Sequence, residues 1–556
     1  LFVPDEFPTI QQAINAAAEG DEITVSPETY EENIYIAKNI TLRSQNPNHW
    51  DTVAQTIISG RGQNPVVTFS GAEPSARLLG FTLANGYSNT SGGGIQGNAT
   101  GATIEKCIIR ENTAVQSGGG VHAVRGTVRD CRIEQNNAEF GGGVADSNDL
   151  INCIIASNQA VEGGGLYGCT DSVLHCTITG NTADKGAGLS QCTGLIQNCI
   201  IWDNQADALY QCSEPSYSCV QSDPRGIGNL DIDPEFIDPV GGDYRLTPGS
   251  FCIDAAISAT NPVVQNDILG SLRPLDGNND GVAAPDIGAF EMPLSDQPVV
   301  GISQAQFLFT SLDPSPQTLK IWNAGLAPIQ YSIADPNCDW LTVSSTSGTV
   351  SDGFDEIILT AEPGQVAPGA YACQLIISDP AAINSPRTVV VQLTVFSERI
   401  ELTPDGPSIQ HALRYITDGG TLVLADGVYT GPGNWDVDFL GRAATVKSAN
   451  GPDNCIIDLA ADPNHPHRAF LFQQNEDSNS VLQGLTIING YTPQPGAAVY
   501  CDRAGPSIID CRFRNNHTPD DSGGAVYCSS GSPVIHQSLF EGNTALRGGA
   551  VASFQG

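Results

Sequence analysis

The chain has 556 residues and is strongly acidic, with 61 Asp and Glu against 24 Lys and Arg and a net charge of −37. Phosphate binding needs clustered Lys and Arg, so this charge balance excludes nucleic acid as an expected partner. No apolar run approaches the length of a membrane span, and we expect no membrane-spanning segment in this chain.

The first predicted element is an amphipathic helix in "PTIQQAINAAAEGDEITV", which runs into a strand. Thr9 is a suitable N-cap, and Ile10, Ala13, Ile14 and Ala17 form one apolar face. Such a helix would cover the open end of a stack of coils, whose first coil otherwise exposes unpaired backbone groups. We therefore predict a capping helix here.

A repeat of about 23 residues follows, in which the pattern Cys-x-(Ile)-x-x-Asn returns five times. A Gly-rich motif, such as "GGGV" at Gly118, runs in phase with it. Short β-prone runs and turn residues lie between the motifs, without helical periodicity. Leucine-rich repeats and propeller blades do not fit this frame, so the pattern predicts a parallel β-helix with one coil per repeat. The repeated residues are Cys107, Cys131, Cys153, Cys176 and Cys199, and Asn112, Asn136, Asn158, Asn181 and Asn204.

Equivalent residues lie above one another in such a stack, which suggests a structural role for each. We expect the cysteines to form a column of buried thiols and the asparagines a ladder of side-chain amides at a bend. The glycines would supply bends with positive φ or close backbone approach. Disulfides and metal binding stay open as alternatives for the cysteines, although no Cys-x-x-Cys pair is present. A second, offset set comprises Cys169, Cys192, Cys212, Cys501 and Cys528.

The composition changes after the repeats. Runs of alternating polarity between residues 298 and 396 predict a β-sandwich of immunoglobulin-like type, in which Cys338 and Cys373 could pair. "PSIQHALRYITDGGTLVLADGVYTG" then repeats the design of the first capping helix, and two caps imply two β-helices. We predict domains at 1–296, 297–397 and 398–556, the last incomplete at its C-terminus because its final motif stops in mid-coil at Gly556.

The motifs GG[AILV] and [FI]xxN, the latter in "IREN", "IEQN", "IASN", "ITGN", "FRNN" and "FEGN", mark a known kind of protein. The chain resembles the right-handed parallel β-helix (pectin-lyase-like) superfamily. It is most similar to bacterial surface proteins of the polymorphic outer-membrane type. The stretch from Asp231 to Met292 resembles the segment that closes many such β-helices. The resemblance implies an all-β fold with right-handed coils and an extracellular or cell-surface location.

The best candidate for a metal site is "DGNNDG", in which Asp276, Asn278 and Asp280 match the first ligand positions of a calcium loop. Ile287 stands where a loop of this kind has Glu, so Asp286 or Glu291 would have to substitute. An Asx-rich turn is the alternative. His465 and His467 in "NHPHR" could bind a metal, but a solvated loop is the favoured interpretation.

Catalysis is the main rival to a structural role, because the superfamily includes polysaccharide lyases and glycoside hydrolases. Hydrolysis needs two carboxylates across a groove, and a lyase needs a basic residue as proton acceptor. Asp146, Asp171, Arg129 and Arg110 are isolated candidates that form no recurrent cluster in the sequence. We therefore expect no enzyme and no cofactor beyond Ca²⁺.

The sequence thus predicts two right-handed parallel β-helices, each with an N-terminal capping helix, separated by an immunoglobulin-like β-sandwich. We expect a secreted or cell-surface structural protein, a stiff adhesive rod that assembles into a filament or surface layer. Its partners would be copies of itself, other envelope proteins or glycans. The alternatives are a polysaccharide lyase or glycoside hydrolase and a glycan-binding protein without catalysis, which a row of exposed aromatic residues would favour.

Overall fold

The computed structural model describes residues 1–223 and 225–554. The protein is all-β, with a parallel β-solenoid of the right-handed type and antiparallel sheets near residues 300–400. The predicted end of the last coil at Gly556 lies outside the described residues. The helical segments are Ile10–Ala16, Trp50–Gln55 and Ile409–Leu413, with a 3-10 turn at Pro363–Gln365.

Three parallel sheets, here named A, B and C, run through the N-terminal part of the chain. Each coil contributes one strand to each sheet, so neighbouring strands in a sheet come from successive repeats. Sheet A contains Phe2–Val3, Glu22–Val25, Thr41–Ser44, Arg77–Leu79, Thr103–Glu105, Thr127–Arg129, Asp149–Ile151, Ser172–Leu174 and Leu195–Gln197. Sheet B contains Thr29–Tyr30, Ile57–Ser59, Thr82–Ala84, Ile108–Arg110, Arg132–Glu134, Ile154–Ala156, Thr177–Thr179, Ile200–Trp202 and Cys219–Val220. Sheet C contains Ile34–Ile36, Val67–Phe69, Ile95–Thr100, Val121–Val124, Val144–Ala145, Leu166–Tyr167, Leu189–Ser190 and Leu209–Tyr210; Tyr87–Ser88 pairs with Thr113–Ala114 beside it.

The register of the strands explains the repeat. Ile133 pairs with Ile155, and Ile155 pairs with Ile178, so the second Ile of each repeat stacks in the core. All three side chains are fully buried in one continuous apolar cluster with their equivalents in sheets A and C. A residue of the repeat thus keeps its inward direction through every coil, as the 23-residue period predicted.

The Gly-rich motif has two separate backbone requirements. Its first glycine takes a left-handed conformation, with φ +61° at Gly141, which residues with a side chain rarely adopt. Its third glycine lies against the next coil, where a Cβ on Gly143 would be 2.7 Å from the Gly165 carbonyl oxygen and 3.1 Å from Asn158 Nδ2. Positive φ and close backbone approach, the two predicted reasons for glycine, therefore occur at different positions of one motif.

The two predicted capping helices are present. Thr9 is the N-cap of Ile10–Ala16, and its Oγ1 accepts a hydrogen bond from Gln12 N at 3.2 Å. The apolar side of that helix, including Ile10, is buried in the core of the first coils. Ser408 is the N-cap of Ile409–Leu413 in the same way. Burial of one helix face against the first coil leaves fewer backbone groups exposed at the end of the stack.

The segment between the N-terminal sheets and the antiparallel sheets covers the outer face of sheet B. It contains the hairpin of Phe236–Asp238 and Asp243–Leu246. Its residues Ile268, Ala289 and Phe290 bury Ile154 and Ala156, which point outward from sheet B. The sheet therefore has apolar contacts on both faces, which explains why outward positions of "NCIIASN" are also apolar.

Two antiparallel-type sheets lie near residues 300–400 and enclose a separate apolar core. Trp322 Nε1 donates a hydrogen bond to the Asn278 carbonyl at 2.8 Å, and Arg387 forms an ion pair with Glu235 at 2.6 Å. These contacts attach the sheets to the preceding segment. One sheet has the order Val300–Ile302, Gln317–Asn323, Phe354–Ala361 and Leu341–Val343. The other has the order Gln306–Thr310, Arg387–Val395, Gly369–Ser378, Ile329–Ile333 and Ser347–Val350, its first pair being parallel.

A second set of parallel sheets, here named A′, B′ and C′, follows from Ser397. Its apolar core includes aromatic rings in contact, such as Phe439 and Phe472, which are tilted with centroids 4.4 Å apart. Sheet A′ contains Ser397–Leu402, Ile416–Leu424, Thr445–Ser448, Val481–Gln483, Ser507–Ile509 and Val534–His536. Sheet B′ contains Gly427–Tyr429, Cys455–Asp458, Thr486–Ile488, Arg512–Arg514 and Leu539–Glu541. Sheet C′ contains Val437–Asp438, Phe470–Phe472, Val499–Asp502, Val526–Ser529 and Val551–Phe554; His517–Ser522 pairs with Thr544–Arg547 beside it.

Candidate functional site

The predicted asparagine ladder is a continuous chain of buried amides. Asn158 Nδ2 donates to the Ile133 carbonyl at 2.9 Å and to Asn181 Oδ1 at 3.0 Å. Its Oδ1 accepts from both the backbone N and the Nδ2 of Asn136, each at 3.0 Å. The same contacts connect the five predicted residues Asn112, Asn136, Asn158, Asn181 and Asn204. A shorter ladder joins Asn516 to Asn543 in the C-terminal coils.

The predicted cysteine column lies in the core at the start of the sheet B strands, whereas the asparagine ladder follows their ends. Cys153 Sγ is 3.4 Å from the Ile151 carbonyl oxygen, and Cys153 N donates to Cys176 Sγ at 3.4 Å. The five thiols of Cys107, Cys131, Cys153, Cys176 and Cys199 are free and fully buried. A cysteine side chain is small enough to stack on the equivalent cysteine of the next coil without distorting the backbone, so the column packs in the core.

A column of polar residues, not recognised from the sequence, precedes the cysteines at a corner of the coil. Asn152 Nδ2 donates to the Asn266 carbonyl at 2.6 Å, and Asn198 Nδ2 donates to the Ile257 carbonyl at 2.9 Å. These bonds attach the covering segment to sheet B. The available signal was the polar residue before each cysteine. The column consists of Lys106, Asp130, Asn152, His175 and Asn198, all with positive φ.

Arg273 lies at the centre of the contact between the covering segment and the coils. Its fully buried guanidinium donates to the carbonyls of Asp286, Gly288 and Phe290 at 2.9, 2.8 and 3.0 Å, and contacts His175. The carboxylate of Glu291 is 3.6 Å from Arg273 Nε. Burial, followed by the nearby Glu291, raises the pKa of Asp286 well above its ordinary value. The cluster fixes the segment and is closed to solvent.

The predicted calcium loop uses its polar atoms to hold its own backbone. The Asp276 carboxylate accepts from the amides of Asp280 and Gly281 at 3.2 and 3.1 Å, and Asn278 Oδ1 accepts from Asp280 N at 2.9 Å. Asp286 accepts from two other amides, at 2.9 and 2.6 Å. Within residues 1–223 and 225–554, no group of three or more His, Cys, Asp or Glu could hold a metal ion. Calcium binding by Asp276, Asn278, Asp280 and Asp286 stays a prediction.

Cys338 and Cys373, the pair that the sequence singled out, form a disulfide with Cα atoms 6.5 Å apart. Cys373 lies in the core of the antiparallel sheets, and Cys338 packs against it.

The isolated catalytic candidates each have their own separate contacts. Arg110 pairs with Glu111 at 2.9 Å and Arg129 with Asp130 at 3.0 Å. Asp146 is 3.3 Å from His122 on sheet C, and Asp171 is exposed. The Arg110 pair is an ordinary surface ion pair, whereas Asp130, the partner of Arg129, is buried at the corner of the coil.

A polar cavity of about 520 Å³ lies on the outer face of sheet C′. Asp436 Oδ2 accepts a hydrogen bond from His467 Nδ1 at 2.7 Å, and Asp436 Oδ1 accepts from Arg468 N at 3.1 Å. The imidazole of His467 stacks on Trp435 with ring centroids 4.2 Å apart. These contacts hold His467 in one orientation at the cavity wall, whereas the neighbouring His465 is exposed and 3.4 Å from Asp462.

Arg468 and Tyr500 form another part of the cavity wall, and Tyr500 belongs to a stack of aromatic rings. The Arg468 guanidinium lies 5.0 Å from the Tyr500 ring centroid, and Tyr500 stacks on Tyr527 at 5.8 Å. Arg468 also donates to Thr492 Oγ1 at 3.3 Å and to Gln494 Oε1 at 3.4 Å. Burial lowers the pKa of Arg468, while Asp436 and then Tyr500 act in the opposite direction. A stacked guanidinium directs its N–H groups along the ring plane, which suits hydroxyl or oxyanion groups of a ligand.

The stacked pair of Tyr500 and Tyr527 was missed in the sequence. "AVYC" at residues 498–501 recurs at 525–528, which places Tyr500 directly beside Tyr527 in the strand register. The repeated tetrapeptide was the available signal.

No helix in the described part of the chain is long and apolar enough to cross a membrane. No protein-family model matches the chain, and no curated protein matches it. Among solved structures, a PapD-like domain of human CEP192 is similar at a TM-score of 0.15 and 19% identity, over 19% of this chain and 88% of that one. A Bacteroides ovatus GH5 xyloglucanase in complex with a heptasaccharide is similar at a TM-score of 0.14 and 14% identity, over 29% of this chain and 45% of that one. Similarities of this size carry no argument about function.

Proposed function

We propose that this protein is a secreted or cell-surface structural protein, a stiff rod that supports adhesion or assembly. The proposed architecture is two right-handed parallel β-helices of the pectin-lyase-like type, separated by an immunoglobulin-like sandwich, with domains at 1–296, 297–397 and 398–556. The bacterial surface proteins of polymorphic outer-membrane type are the proposed relatives. The observation that carries the proposal is the unbroken asparagine ladder from Asn112 to Asn204.

The ladder supports a mechanical role because it adds side-chain hydrogen bonds to those of the backbone at every coil. With a spacing of about 4.8 Å between coils, the nine strands of sheet B extend over roughly 38 Å. A coil inside the stack is bonded on both sides, so bending the rod or opening one coil breaks several bonds together. Stiffness and resistance to proteases follow from that cooperativity.

The proposed partners are copies of the same chain, other envelope proteins or surface glycans. The location is testable by treating intact source cells with a protease that cannot enter them, and then detecting the chain by immunoblot. We expect loss or shortening of the chain on intact cells, or its recovery from the medium. Full protection on intact cells, with digestion only after lysis, would contradict the proposed location.

Glycan binding is a second proposed function, favoured by the Arg468–Tyr500 wall of the cavity on sheet C′. The lining of the cavity includes a guanidinium, an imidazole and two Gln amides, which can form hydrogen bonds with sugar hydroxyls. Calorimetric titration with a panel of oligosaccharides tests this role. We expect Arg468→Gln to weaken binding and Arg503→Gln to leave it unchanged, since Arg503 is exposed and pairs with Asp502. Equal effects would count against the cavity.

The alternative of a polysaccharide lyase or glycoside hydrolase predicts a different result in the same panel. An enzyme would shorten the oligosaccharides, and mass spectrometry of the products would detect this. Intact oligosaccharides after prolonged incubation would favour the structural and binding roles.

A further inference from the structure

We propose that Cys192 and Cys212 are a modification site, at which a disulfide forms across the last two coils of sheet C. This goes beyond the structural role, because it assigns a covalent reaction to two residues of the offset cysteine set. The reagent class is a small-molecule disulfide, such as oxidised glutathione.

The backbone holds the two cysteines opposite each other on adjacent coils. Ser190 pairs with Tyr210 in the strand register, and Gln191 N donates to the Tyr210 carbonyl at 2.9 Å. On the other side of the pair, Ser213 N donates to the Cys192 carbonyl at 2.9 Å. The spacing of about 4.8 Å between stacked strands lies inside the range of Cα separations that a disulfide spans.

The side chains also point the same way. The Sγ atoms of Cys192 and Cys212 each lie 3.4 Å from the carbonyl oxygen two residues earlier, at Ser190 and Tyr210. Because Ser190 pairs with Tyr210, these equivalent contacts give the two side chains the same orientation on adjacent coils. Formation of an S–S bond therefore needs rotation of side chains rather than movement of the coils.

Exposure to solvent distinguishes this pair from the other stacked cysteines. Of the 14 free cysteines, all within the described residues, Cys212 is partly exposed and the others are buried. It follows Leu209–Tyr210, the outermost strand of sheet C, so no further strand of that sheet covers it. Cys169 is buried on the inner side of Cys192, and a reagent reaches Cys212 first.

The reaction is a balanced thiol–disulfide exchange. The Cys212 thiolate attacks one sulfur of the glutathione disulfide, forming a mixed disulfide and releasing one glutathione thiolate. The Cys192 thiolate then attacks the Cys212 sulfur and releases the second glutathione. The protein loses two electrons and two protons, and the reagent gains both. Hydrogen bonding with Cys192, together with burial, raises the pKa of Cys212, so the rate should increase with pH.

The disulfide would lie at the end of the N-terminal coils. An end coil has a neighbour on one side only, and therefore opens more readily than an inner coil. The disulfide would join that coil covalently to the next one. In an extracellular, oxidising compartment, as the proposed function implies, this bond would protect the end of the N-terminal coils.

The test is to incubate the purified full chain with oxidised glutathione at pH 8 and map its peptides by mass spectrometry without reduction. We expect a Cys192–Cys212 cross-link, two fewer titratable thiols, and a first unfolding transition raised by about 5 °C. In Cys192→Ser, the mixed disulfide should stay on Cys212. In Cys212→Ser, Cys192 should not react and the transition should not rise.

Three results would overturn the proposal: an unmodified Cys212, a stable mixed disulfide on Cys212 of the unaltered chain, or a cross-link between other cysteines. The reaction is measured on purified protein, so failure here is distinguishable from failure of the proposed cell-surface location.

Discussion

Removing one amide from the asparagine ladder should destabilise the N-terminal coils by an amount that the hydrogen bonds determine. Asn158→Ala leaves two buried donors of Asn136 without an acceptor, its backbone N–H and one side-chain N–H. A buried unsatisfied donor costs about 1–3 kcal/mol, so the expected loss is about 2–6 kcal/mol. The matched control is Asn137→Ala, because Asn137 is exposed and makes one weak contact at 3.4 Å with Gln159.

The assay is native-state hydrogen exchange of the amides in residues 149–167, combined with the urea midpoint of the first unfolding transition. Hydrogen exchange reports the opening of the coils separately from the unfolding of the antiparallel sheets. The control should change the free energy of opening by no more than about 0.5 kcal/mol. A loss below about 1 kcal/mol for Asn158→Ala, or equal losses in both variants, would refute the reasoning that the ladder stabilises the stack.

Other predictions concern the covering segment and the thiols. Arg273→Ala should cost about 3–5 kcal/mol in urea unfolding because it leaves buried carboxylates unpaired, whereas Arg245→Ala, in an exposed pair, should cost about 0–1 kcal/mol; equal costs would contradict this. Burial raises the pKa of Asp254 to about 6, so its proton stabilises the fold fully below about pH 4, and that stability is lost as the pH rises through 6. In the unaltered chain, this loss should increase the hydrogen exchange of residues 276–284 as the pH rises. Asp254→Asn should abolish that pH dependence, and a pH dependence that persists would exclude Asp254 as its source. Thiol titration of the unfolded, unreduced chain should give 14 thiols before treatment with oxidised glutathione and two fewer after it, and a lower number before treatment would reveal further disulfides.

The features that follow the repeat period could be predicted from the sequence. The positions of Asn158 and Cys153 recur about every 23 residues, and stacking places the equivalent residues of neighbouring coils in contact. The caps at Thr9 and Ser408 were predictable because their signals are local, within one helical turn. Local signals and periodic signals need no knowledge of how distant segments pack.

The contacts between distant segments could not be predicted in this way. Arg273 contacts His175 across 98 residues, and no spacing in the sequence relates the two. The cavity on sheet C′ places Arg468 over Tyr500 from a neighbouring coil, in a region where the repeat length varies. Such pairs depend on the path of individual turns, and a one-residue change in a turn would separate them.

The calcium motif illustrates the limit of reasoning from residue types alone. Asp276 and Asn278 have the spacing of metal ligands, and the same oxygen atoms also serve as acceptors for Asp280 N. An Asx-rich turn and a calcium loop use the same residue types, in one case to accept backbone hydrogen bonds and in the other to bind the ion. Composition therefore does not distinguish the turn from the calcium loop. Calorimetric titration with Ca²⁺ of the unaltered chain and of Asp276→Asn would distinguish the two interpretations.

The most direct test of the account is electron microscopy of the protein taken from its source without harsh extraction. The account predicts stiff rods that join end to end or form an ordered surface layer. Dispersed single particles, free of the cell surface and without order at any concentration, would contradict the structural role and favour a carbohydrate-active enzyme.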